Sequence, residues 1–259
     1  MFPRLLTISM AFGICVSAAQ TSAPPPVDVA KLTISAPATI RDLDVKGVRG
    51  VPTRMAWSPD DSWIYVRLST FDRWSNETAR HLLIDVAGKR VESLPDEPGW
   101  LARYWNTKAA MASPAVPSWR ITIDTREELV RTTNVPREGN IGMATADPAA
   151  GVDEVAKSAA LSSQKTMFQE YRLNGQRVAA SVNSQVVPGR TFAWAPAPLA
   201  LFAYVSDKGR LQVMNRDGKT REVKGPKKPL LPAWSESGQR LAWVQGAGGG
   251  FSVRAVEVR

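Results

Sequence analysis

One histidine, His81, stands in the whole 259-residue chain, at the head of the apolar run HLLIDV. An imidazole can be a general base or a metal ligand, and it titrates near neutral pH. A soft metal site would need further nitrogen or sulfur donors, and the only cysteine is Cys15; carboxylates alone would be left to complete it. A Ser-His-Asp hydrolase built on an α/β sheet needs a Gly-x-Ser-x-Gly elbow, which the sequence lacks. His81 is therefore read as a structural or edge residue. The acidic pairs Asp60-Asp61, Asp96-Glu97 and Asp153-Glu154 are the remaining acid-base candidates. A glycosidase requires two carboxylates facing each other across the scissile bond. Neighbours on one strand or turn point apart, and a turn accounts for Asp60-Asp61. No catalytic residue, metal ligand or cofactor is assigned.

Recognition chemistry is better represented. The chain has nine tryptophans. Arg73-Trp74 and Arg103-Tyr104-Trp105 set a guanidinium beside an aromatic face, a pairing enriched in protein interfaces and suited to stacking on sugars. These five residues are the binding candidates, although packing between structural units would use the same types. Asn76-Glu77-Thr78 has the form of a glycosylation sequon, to which no role is assigned.

The elements that position these residues are announced by a repeat. PAWSESGQRLAWV at 232–244 and MAWSPDDSWIYVR at 55–67 are the same phrase, with Trp57 over Trp234 and Ser58 over Ser235. FAWAPAPLALFAY is a third copy, led by Trp194. A second motif, LLIDVAGKRV at 82–91, lies over QVMNRDGKTREV, so that Asp85 answers Asn215 and Gly88 answers Gly218; ITIDTREELV and EYRLNGQRVAASV are looser versions. Turns at 88, about 127, 175 and 218 then recur every 40 to 50 residues or so, the period of four-stranded propeller blades. Their glycines are expected to supply the positive φ of tight hairpins.

The reading is an all-β propeller of four-stranded antiparallel blades. Five blades are preferred, with six if 134–164 hides another, and an open, incomplete propeller is the third option. One unit covers 54–94, a second 100–133, and a third carries an amphipathic helix near 147–161 that starts at Asp147-Pro148. The fourth unit covers 190–223. The fifth starts at Trp234 and is one strand short, while the strand at 40–45 has no blade of its own. Pairing that strand with the last blade is expected to close the ring and hide two edges.

Arg4, the apolar run 5–16 and the small-residue exit Ser17-Ala18-Ala19 have the layout of a signal peptide (1–19), cleaved after Ala18 or Ala19. The run is shorter than a membrane span. Cleavage would remove the only cysteine and take the formal charge from +9 to +8. The Pro-rich stretch 20–30 reads as a tether, and 31–259 as the propeller domain. A basic exported chain meets anionic polymers or acidic proteins rather than nucleic acid. The densest basic stretch, 219–228, reads as a solvated outer strand and loop.

Trp57-Ser58-Pro59-Asp60-Asp61 before the strand Ile64-Tyr65-Val66, Trp234-Ser235-Glu236-Ser237-Gly238, and LQVMNRDG at 211–218 resemble the WD40-like propeller repeats of the periplasmic TolB-like family. The resemblance covers roughly half of the mature chain. It implies a protein-interaction propeller of the bacterial envelope. The family's best-known member has six blades and a separate N-terminal α/β domain, for which this chain has no room. The expectation is a periplasmic or secreted, monomeric, non-enzymatic propeller that binds a protein or an anionic envelope polymer. No cofactor and no transmembrane segment after cleavage are expected. The alternative is a propeller enzyme or accessory subunit acting on a glycan or peptide through the central channel.

Overall fold

Side chains that alternate between apolar and polar over five to ten residues suit strands with two differently dressed faces. The computed structural model describes residues 25–43, 50–72, 76–88, 90–101, 111–131, 163–182, 191–226, 228–247 and 250–259, and fifteen strands form in them. They are β1 (Ala38–Leu43), β2 (Val51–Trp57), β3 (Trp63–Phe71), β4 (Glu77–Asp85), β5 (Val91–Leu94), β6 (Thr122–Arg131), β7 (Ser163–Leu173) and β8 (Gln176–Val182), followed by β9 (Phe192–Trp194), β10 (Leu201–Val205), β11 (Leu211–Asn215), β12 (Thr220–Glu222), β13 (Leu230–Trp234), β14 (Arg240–Ala247) and β15 (Gly250–Glu257).

These make four antiparallel sheets arranged as propeller blades: β2-β3-β4-β5 (blade I), β6-β7-β8 (blade II), β9-β10-β11-β12 (blade III) and β13-β14-β15-β1 (blade IV). β13 lies against β2 on one side and β9 on the other, and β10 lies near β8. Three apolar clusters fill the seams. One joins I to IV through Trp57, Ile64, Val66, Leu68 and Val244. A second joins IV to III through Trp234, Trp243, Leu201 and Val213. The third joins III to II through Phe202, Tyr204, Trp119, Tyr171 and Leu173. Among the described residues no buried apolar cluster joins I to II.

The blade count is four among the described residues, not five. The expected turn near 127 does not exist: β6 runs straight through it, with Glu127 opposite Met167 and Asp124 opposite Glu170. The segment Thr125-Arg126-Glu127-Glu128 offers no glycine, proline or asparagine to bend the chain. The expected second and third units are therefore one blade, in which β6 is a second strand and β7 a third. A worn copy of the Trp-Ser phrase introduces it. Ser113 N–H donates to the Trp119 carbonyl at 2.9 Å and Ala112 bridges Arg120, as Ser58 N–H donates to Trp63 (2.9 Å), Ser235 to Arg240 (2.9 Å) and Ala195 to Leu201 (3.0 Å). Ala112 stands where the other copies have tryptophan.

The two motifs have clear local causes. In the phrase, the serine hydroxyl accepts the N–H that ends the turn, from Trp63 to Ser58 at 2.9 Å and from Arg240 to Ser235 at 3.1 Å. In the hairpin motif, Asp85 Oδ1 accepts the Ala87 and Gly88 N–H groups, and Asn215 Oδ1 those of Asp217 and Lys219. Gly175 and Gly218 have the expected positive φ, at 78° and 80°. Gly88 does not have it. Its constraint is space, because a Cβ there would meet the Asp85 carboxylate at 2.5 Å.

The first strand pairs with the last blade as expected: β1 runs antiparallel to β15, with Ala38 opposite Ala255 and Leu43 opposite Phe251. The ring closure expected from this pairing is not seen among the described residues, since I and II share no core. The segment expected as a tether is not loose at its end. Val29 is buried with Leu32 in the seam between III and IV, and Asn215 and Arg221 donate to the carbonyls of Val27, Val29 and Ala30. Its valines, rather than its prolines, decide the matter by leaving water. The signal segment 1–19 and the helix expected over 147–161 lie outside the described residues. No helix among the described residues is long and apolar enough to cross a membrane.

Candidate functional site

Period two places Ile64, Val66 and Leu68 of β3 in the seam with blade IV, so Tyr65, Arg67 and Ser69 point to the opposite face of blade I. The register adds His81 opposite Arg67, Leu83 opposite Tyr65, and Arg54 of β2 also opposite Arg67. After β5 the chain turns back across this face, bringing Glu97, Trp100 and Leu101 onto it. The lower part is apolar: Ala56, Tyr65 and Leu101 are buried together, with Leu83 and Trp100 beside them.

The upper part is a charged network. Arg54 Nη1 and Arg67 Nη1 reach Glu97 Oε1 at 3.0 and 3.2 Å, and the Tyr65 hydroxyl donates to the same oxygen at 3.3 Å. Arg67 Nη2 binds Glu77 at 2.9 Å. Glu77 accepts from Ser69, whose hydroxyl shares a hydrogen bond with Thr53 at 2.7 Å. His81 Nδ1 lies 2.8 Å from the Tyr65 hydroxyl, ring stacked on ring. The one phenolic proton serves one acceptor at a time: Glu97 when His81 carries its proton on Nδ1, and His81 when it does not. Burial, and after it the Glu97 carboxylate, push the Tyr65 phenol well above the ordinary tyrosine range. It is a hydroxyl donor, not a phenolate nucleophile.

Blade II turns a related face away from blade III. Glu170, buried, is held by Arg172 at 2.5 Å and approached by Arg126 at 3.7 Å, and Arg126 also lies over the Phe168 ring. Elsewhere, an open groove of about 540 Å³ runs between the N-terminal segment and the edge of blade III, lined by Ile34, Pro37, Arg221, Glu222 and Lys224.

The five residues expected to bind, Arg73, Trp74, Arg103, Tyr104 and Trp105, lie outside the described residues. His81, read as a structural or edge residue, stands on the inner strand β4 with its Nδ1 at 2.8 Å from the Tyr65 hydroxyl. Trp119 packs edge-on against Trp194 at 4.9 Å in the seam between III and II. Sequence reasoning missed Tyr65, Arg67 and Arg54 as a polar face. Their spacing at alternate positions was the available signal for Tyr65 and Arg67, whereas Glu97 joins them from about 30 residues away. Among the described residues no three His, Cys, Asp or Glu side chains gather as a metal site.

No protein-family model matches the chain, and the search of curated proteins finds no similar sequence.

Proposed function

We propose that the chain is an exported, non-enzymatic β-propeller of the TolB-like kind that binds a protein or polymer of the cell envelope, and that binding uses the polar face of blade I. One observation supports this most directly: three seams are filled by apolar side chains, while this face holds two arginines, a tyrosine, a histidine and a tryptophan. Half-buried ion networks contribute less stability than apolar packing of the same volume. Arginine, tyrosine and tryptophan are also the types that anchor interfaces. A face built for stability alone would repeat the leucines and valines of its neighbours.

The test is cross-linked capture from envelope extract by the purified mature chain, read by mass spectrometry beside a panel of envelope glycans. Arg54→Gln is expected to lower recovery of a specific partner at least about fivefold, while Arg210→Gln, which alters an exposed pair with Glu222 on blade III, leaves it unchanged. Equal recovery by both variants would remove the polar face from the binding surface.

A further inference from the structure

We propose that Arg54, Arg67 and Tyr65 form a carboxylate-binding site that Glu97 occupies in cis, and that the ligand displacing it is an acidic side chain of a protein partner. This rests on the interaction reading above and names the chemistry of the partner.

Three donors converge on one oxygen. Arg54 Nη1, Arg67 Nη1 and the Tyr65 hydroxyl all lie 3.0–3.3 Å from Glu97 Oε1. Charged donors aimed at a single carboxylate make strong, directional recognition. The donors all stand on rigid ladders, Arg54 on β2 and Tyr65 and Arg67 on β3, in register across the sheet. Arg67 is fixed independently of Glu97, because its other terminal nitrogen binds Glu77, itself held by Ser69. Arg67 is therefore held in place by a partner other than the occupant.

The occupant is placed differently. Glu97 belongs to no strand and follows the bend at Pro95-Asp96, after the last residue of β5. The segment around it is held by Leu101 and Trp100, packed against Tyr65, and by a backbone bond from the Leu101 N–H to the Pro98 carbonyl. Glu97 is 27% exposed at the side chain and Arg54 29%, so an incoming carboxylate can reach the same nitrogens from solvent. The basic chain, at +9, draws acidic segments towards itself. A tethered carboxylate competes at an effective concentration on the order of millimolar, so the intact site binds weakly until a partner offers further contacts.

The probe is a fluorescein-labelled hexaglutamate peptide, titrated into the full mature chain and followed by anisotropy at fixed salt. Glu97→Gln is expected to bind at least about tenfold more tightly than the parent. Adding Arg54→Gln should abolish the gain, and a hexaglutamine peptide should show none. Glu222→Gln, which changes the net charge equally on blade III, should not reproduce it. Thermal melts establish that each variant folds; if Arg54→Gln does not, Tyr65→Phe, which deletes only the hydroxyl donor, should reduce the gain severalfold. The proposal is overturned if Glu97→Gln binds no better than the parent, if the gain survives the donor variants, or if Glu222→Gln matches it. In those cases continued loss of envelope capture in Arg54→Gln would leave the interaction reading standing alone.

Discussion

The two faces of blade I are made from the same strands and do opposite things. On one, Trp57, Ile64, Val66 and Leu68 leave water completely against blade IV, and the Trp57 indole N–H donates to the Ala233 carbonyl at 3.1 Å. On the other, the buried Tyr65 and the part-buried Arg67 join a charged network whose outer members, Arg54 and Glu97, stay within reach of solvent. Alternation along β3 is enough to separate them. A single pleated strand can thus serve stability with its even positions and recognition with its odd ones.

This contrast can be broken from the apolar side first. Removing residues 25–43 deletes β1 and withdraws Val29, Leu32 and Leu43 from two seams; the cooperative melt is expected to disappear in calorimetry. Trp57→Ala should destabilise by about 3–5 kcal/mol through a cavity and a lost indole bond, a large share of a domain's usual margin. Urea titration would check it, and a loss below roughly 1 kcal/mol would remove the seam from its role.

On the polar side the expected effects are smaller. Tyr65→Phe deletes the hydroxyl shared by His81 and Glu97 and should cost about 1–2 kcal/mol in the same titration. A loss as large as that of Trp57→Ala would erase the distinction between the faces. At the rim of the seam with blade IV, Asp61→Ala removes the carboxylate that accepts the Glu236 and Ser237 N–H groups and should cost about 1 kcal/mol.

The smallest expected effect depends on pH. Hydrogen bonds from Ser58 and Ser62 hold the Asp60 carboxyl at about 2, below its ordinary 3.8. A depressed folded value means that its contribution to stability is fully present above the ordinary value and is lost as pH falls towards 2. Asp60→Asn should therefore flatten the stability curve between those two values and leave it parallel above them. An unchanged acid limb in melts across this window would show that the phrase turn holds without the charge.

Much of the fold was legible because repetition exposed it. The phrase around Trp57 and Trp234, and the hairpin in which Asp85 answers Asn215, gave correct strands in blades I, III and IV. Blade II was misread for two physical reasons. Its phrase has Ala112 where a tryptophan belongs, although the Ser113 backbone bond survives. Its β6 carries an Ile-Asp pair that mimics a third strand, while the residues that follow it cannot turn. The candidate site was less legible still. Tryptophan excess and Arg-aromatic neighbours drew attention to residues outside the described part of the chain, whereas Glu97 meets Arg54 across 43 positions. No local pattern records such a meeting.

The pairing of β1 with β15 sets an order of events. Ala38 must wait for Ala255, with roughly 200 residues between them still to be laid down. Blade IV is therefore the last to be completed, and contacts of such range make folding slow relative to its local hairpins. Until then the early strand is an unpaired edge. Its sequence ATIRDL keeps Arg41 and Asp42 exposed even after pairing, and charges on an edge discourage it from joining a neighbouring chain. The strand that finishes the last blade thus carries its own protection while it waits.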